Sequence, residues 1–102
     1  MSLQAIVLSL ISDIDDPAVR TDVASTIFFL RDVYMSGGIK DEDLRLELAN
    51  IVSTVLDATH PELLPDEKQK KVETFVNQLM RAIKMSTLKT RLMGRYRPPP
   101  PV

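Results

Sequence analysis

The sequence predicts an all-α fold: a compact bundle of four helices, then a short fifth helical segment and an extended proline-rich tail. Two observations carry this expectation. Apolar residues recur at three- and four-residue steps in four separate stretches, the spacing of one face of an α-helix. The chain also has only three glycines in 102 residues, too few for a fold made of many tight β turns. The expected domain is residues 1–85, with 86–102 as a basic amphipathic segment and tail.

The first helix is expected from about Leu3 to Ile14, with Leu3, Val7, Leu10 and Ile14 on one stripe and Ile6 and Ile11 beside it. Asp15-Asp16-Pro17 marks its boundary. The Asp16 carboxylate suits a helix cap, and Pro17 suits a first helical position, where its missing N–H would be unpaired anyway. The second helix is expected from Pro17 to Ser36, on the stripe Val19, Val23, Ile27, Leu30 and Tyr34. Gly37-Gly38 should end it, because glycine takes the left-handed conformation without a Cβ clash. Phe28 and Met35 fall on the opposite face, which makes them candidates for an interface.

The third helix is expected from Asp41 to Thr59, with Asp41 as its cap. Glu42, Asp43 and Glu47 would answer the positive end of its dipole. These acids lack the alternating ligand spacing and the glycine of a calcium loop, so they read as a helix start and not as a metal site. The stripe is Leu44, Leu48, Ile51 and Val55, with Leu46 and Leu56 off it. Pro61 and Pro65 interrupt the chain next, and Leu63-Leu64 are expected to close the base of the core. Asp66 with Gln69 resembles a capping box for a fourth helix bearing Val72, Phe75, Val76, Leu79, Met80 and Ile83.

The remainder departs from this packing. Met85, Leu88 and Leu92 lie on the side of the helical wheel opposite Val72, Val76, Leu79 and Ile83. Two arrangements satisfy that change of face. The helix breaks near Ser86-Thr87 and a short fifth helix follows, or it runs on past the domain and offers a second face to another molecule. Gly94 is a plausible stop. Beyond it Pro98 to Pro101 form four consecutive prolines, which favour extended polyproline II. With Arg95 they also match the R-x-x-P-x-x-P pattern of polyproline ligands, a match any proline run makes easily.

Charge is polarised. Residues 1–66 hold 12 acids and 4 bases, a balance of −8, and residues 67–102 hold 2 acids and 9 bases, a balance of +7; the whole chain carries −1. There is no cysteine, which removes disulfides and thiolate chemistry and suits a reducing, cytoplasmic setting. The N-terminus has no basic leader, and no apolar run is long enough to span a membrane.

Chemistry is hard to find. His60 is the only histidine and sits before a proline in a connection, where a structural role outweighs a catalytic or metal one. Gly37-Gly38 lacks the lysine of a phosphate loop. The expectation is therefore a non-enzymatic protein-interaction module, self-associating into a homo-oligomer, with no cofactor, no metal and no small-molecule substrate. Its interaction candidates are Phe28, Met35, Met85, Leu88 and Leu92. The alternative is nucleic-acid binding through Lys84, Lys89, Arg91, Arg95, Tyr96 and Arg97, which combine phosphate-pairing charge with a stacking ring. The chain's pI of about 5.7 weighs against a dedicated nucleic-acid binder.

Overall fold

A computed structural model of the protein describes residues 2–95, with side chains as far as Lys89. Four helices follow in order: α1 (Leu3–Ile11), α2 (Pro17–Met35), α3 (Asp41–Thr59) and α4 (Pro65–Arg95). The all-α bundle is thus the fold. The expected fifth helix is not separate, because α4 passes through Ser86 and Thr87 without a break. Thr87 is buried and its hydroxyl donates to the Ile83 carbonyl at 3.0 Å, so this stretch satisfies its polar groups inside the helix. The boundary expected after Met85 therefore falls within α4. The proline tail lies outside the described residues.

Local chemistry sets most of the ends. In α1 the Ser2 hydroxyl accepts from the Ala5 N–H at 3.1 Å. The helix ends at Ile11, one turn earlier than expected. A turn closed by Ile14 N–H to the Ile11 carbonyl tucks Ile14 into the core. The Asp16 carboxylate caps α2 by accepting from Ala18 N–H at 2.9 Å, with Pro17 in the first turn. At the other end Gly37 takes φ +81°, its N–H donating to the Tyr34 carbonyl while Gly38 N–H donates to that of Val33. This pair of bonds is the Schellman stop, and the left-handed residue in it favours glycine.

Two starts differ from expectation. Asp41 is the first residue of α3, and the capping position is Lys40, which makes no side-chain cap. In α4 the start is Pro65, two residues before a cap at Asp66 would place it. Glu67 reaches back instead, accepting from Leu64 N–H at 3.3 Å.

α1 carries the most concentrated burial: Leu3, Ile6, Val7, Leu10 and Ile11 are all enclosed. It packs against α2, α3 and α4, while α2 and α4 touch each other only slightly. Ile27, Leu44, Leu48, Leu79 and Ile83 are fully sealed at the centre. Val52 joins them from α3, and Leu56 is buried, whereas Leu46 is exposed and Ile51 half-buried. Leu64 is exposed and Leu63 only half-buried, so the leucine pair does not close the base of the core; Ile14 belongs to the core instead. α2 is the peripheral helix, with Ile27 its single fully buried residue.

Two stability outcomes follow from this packing. Leu48→Ala should cost about 2 to 5 kcal/mol in urea unfolding, since its site has no solvent access through which to relax. Gly37→Ala should cost about 1 kcal/mol, through backbone strain alone, because space for a Cβ exists there.

Candidate functional site

α3 and α4 run antiparallel, as three contacts in sequence establish. Asp57 pairs with Lys68 at 2.6 Å, Arg45 donates to Asn77 at 2.9 Å, and Asp41 pairs with Lys84 at 2.7 Å. Lys84 therefore stands level with the first residue of α3. The 11 residues of α4 from there to Arg95 span about 17 Å, and the first turn of this stretch still packs on the bundle, since Thr87 is buried.

This last part of α4 carries a second face, which begins beside α1, where Met85 lines a depression with Ile6. Met85 is 59% exposed and Leu88 50%, on the side of α4 away from Leu79, Ile83 and Thr87. Leu92 occupies the register position one turn beyond Leu88 on the same face, within α4 but beyond the described side chains. The change of apolar face read from the sequence is thus real for Met85 and Leu88.

The expected basic residues divide. Lys84 is engaged: its ammonium pairs with Asp41, whose other oxygen accepts from the Tyr34 hydroxyl at 2.7 Å. Lys84 and then Tyr34 hold the Asp41 carboxyl below its usual pKa range, and Asp41 raises that of Lys84. The three side chains tie the end of α2 and the start of α3 to α4. Lys89 is exposed and forms no ion pair among the described residues. Arg91 and Arg95 lie in α4, their side chains beyond those described, and Tyr96 and Arg97 lie outside the described residues.

Phe28 and Met35 lie off the core stripe of α2, where the wheel allows exposure, cover by α1 or cover by a partner. Both are half-buried. α1 covers that flank of α2, so Ile11 and Phe28 line one shallow depression. The Arg31 guanidinium lies 5.2 Å from the centre of the Phe28 ring, in cation–π range. The exposed aromatic is its neighbour Phe29, at 65%, which the stripe analysis missed. Its position off the core stripe was the available signal.

Between α2 and α3 runs a shallow groove of about 280 Å³. Val23, Ile51 and Val55 give it an apolar floor, and Asp22, Thr26, Asn50 and Thr54 stand along it. The Thr26 and Thr54 hydroxyls donate to their own helix carbonyls, at 2.7 and 2.8 Å, so their protons are already engaged.

At the opposite end of the bundle His60 joins two connections. Its Nε2 meets Asp13 Oδ2 at 2.8 Å and its Nδ1 meets Glu62 Oε1 at 3.2 Å. Both ring nitrogens can donate only in the imidazolium form. Asp13 first, and Glu62 second, raise the His60 pKa above its ordinary 6.5. Glu62 is lowered, by its own backbone N–H and then by His60.

Among the described residues no group of three or more His, Cys, Asp or Glu is placed to hold a metal, and no helix is long and apolar enough to cross a membrane. Comparison with known proteins finds no match: no family model fits the chain, and neither a curated protein nor a solved structure is similar to it.

The His60 clasp gives a pH dependence with a definite sign. A raised histidine pKa contributes stability that is complete below pH 6.5 and is lost as pH rises through the folded value. The lowered Glu62 pKa contributes above pH 4.5 and is lost as pH falls. Urea midpoints should be highest between pH 4.5 and 6.5 and fall as pH is raised above 6.5, and His60→Gln should flatten that fall. An unchanged slope in the variant would remove the clasp as its cause.

Proposed function

We propose that this chain is a non-enzymatic helical interaction module that self-associates through the projecting end of α4. The observation that carries the reading is the exposure of Met85 and Leu88 on one face of a helix that outruns its bundle. Helices α2 and α3 have 19 residues each, and α4 has 31. A bundle gains nothing from this overhang unless something covers it. Each large aliphatic side chain withdrawn from water on association contributes about 1.5 to 3 kcal/mol.

A second copy is the partner that the charge distribution favours. The acidic body and the basic end of α4 repel their like and attract each other, so copies of one chain are complementary. The absence of cysteine suits a cytoplasmic homo-oligomer. Nucleic-acid contact draws on the same basic end, but Lys84 already has a carboxylate partner there. That reading is left with Lys89, Arg91, Arg95, Tyr96 and Arg97.

Sedimentation of the full chain from micromolar to millimolar concentration tests the proposal. The mass should rise above 11.5 kDa with concentration. Met85→Ser with Leu88→Ser should weaken association about tenfold or more, with helicity by circular dichroism unchanged. A chain monomeric throughout sinks the proposal. If that monomer binds single- or double-stranded nucleic acid with a steep salt dependence, the basic end is a phosphate-contacting arm.

A further inference from the structure

We infer that the groove between α2 and α3 is the docking site for a basic amphipathic helix of another protein. This surface is separate from the last turns of α4, and its use goes beyond self-association. Shape, charge and hydrogen bonding meet there.

The groove has the shape that a helix fills. Thr26 and Asn50 stand equally far before and after Gly38 in the sequence and line it together, so its two walls run antiparallel. Val23, Ile51 and Val55 make its floor apolar. Val19 and Phe29 stand exposed at the two ends of its α2 wall, one turn before Val23 and one turn after Thr26. From Val19 to Phe29 this wall is about 15 Å long. A third helix packs on such a pair by setting its ridge of side chains into the trough.

The charge is of one sign. The bases of α2 and α3 are all engaged on other flanks. Arg31 lies over Phe28 and Arg20 lines the depression beside Ile11, both on the side of α1, while Arg45 donates to Asn77 of α4. Asp22 lines the groove, and Glu47 lies one turn before Asn50 and Ile51 on the α3 wall. Both acids are exposed, and neither forms an ion pair among the described residues. The occupant that complements this rim brings apolar side chains flanked by Lys or Arg. Nucleic acid is repelled. A second copy presenting this same face would set the acids against their like.

Hydrogen bonding selects a helix over an extended strand. The walls are helical, so their backbone groups are paired internally, and the Thr26 and Thr54 protons are engaged. An extended peptide would lie in an apolar trough with its backbone groups unpaired, whereas a helix satisfies its own. The chain's own α4 is a poor occupant. Met85 and Leu88 are the large apolar side chains exposed on its described outer face, and Met85 stands beside Ile6 of α1.

Titration of the full-length chain into a fluorescent synthetic peptide tests this. The probe carries a stripe of leucines over about five helical turns, with lysines elsewhere. One control is scrambled so that no stripe forms, and a second has glutamate in place of lysine. Anisotropy should show micromolar binding of the striped basic peptide, about tenfold or more tighter than of either control. Phe29→Ser, and separately Asp22→Lys with Glu47→Lys, should each weaken it about tenfold with helicity by circular dichroism unchanged. Met85→Ser with Leu88→Ser should leave it as it was. No binding, or binding indifferent to the groove changes, overturns the docking site. Equal binding of the scrambled peptide reduces the effect to diffuse attraction by the acidic body and overturns it too. If the groove changes instead abolish association of the chain with itself, the occupant is a second copy and the foreign partner is overturned. The two readings fail separately: a chain monomeric at every concentration removes self-association without touching this titration.

Discussion

The structure depends on the burial of α1. Nine residues of helix cannot hold themselves together in water, because the entropy of nucleation exceeds what so few hydrogen bonds return. α1 exists because Leu3, Ile6, Val7, Leu10 and Ile11 are removed from solvent by three neighbours at once. That demand arranges the other helices around it. Ile27 from α2, Leu44 and Leu48 from α3, and Leu79 and Ile83 from α4 become the sealed centre. It also accounts for the half-burial of Phe28, on the flank of α2 that α1 covers.

The polar contacts sit at the two ends of this core and do a different task. Asp41, held by Lys84 and Tyr34, joins three helices where α2 turns into α3. His60, between Asp13 and Glu62, joins the α1–α2 connection to the α3–α4 connection. Both clusters are solvent-accessible, so water screens them and each adds modestly to stability. Their effect is on geometry. The first fixes the register of α4 against the start of α3.

The sequence made the helices legible where their ends depend on adjacent residues. Asp16-Pro17 and Gly37-Gly38 act through bonds spanning two to five residues, and both stand where the chain order placed them. The stripes of α1 and α4 were legible for the same reason, since helical periodicity is local. What failed depended on distant partners. Asp41 looked like a cap because its neighbours allow it, but its oxygens answer Tyr34 and Lys84, the latter 43 positions away. Lys84 looked like a free base for that same reason. A helical wheel fixes the angle between Phe28 and Phe29 but does not say which of the two another helix will cover. The projecting face was half legible: the pattern showed Met85 and Leu88 leaving the core stripe, and the unbroken α4 shows that no fifth helix causes it. The groove was not legible, since its walls come from helices whose pairing the sequence does not state.

The His60 clasp has a consequence for the chain as a colloid. The formal charge of −1 counts histidine as neutral. With its proton held on both sides by carboxylates, His60 keeps its charge at pH values where an isolated imidazole would have shed it. Near neutrality a larger share of the molecules then has balanced charge. Such molecules lack the long-range repulsion that keeps proteins apart in solution. They meet without a net-charge barrier, and salt, which screens such a barrier, changes their encounters less.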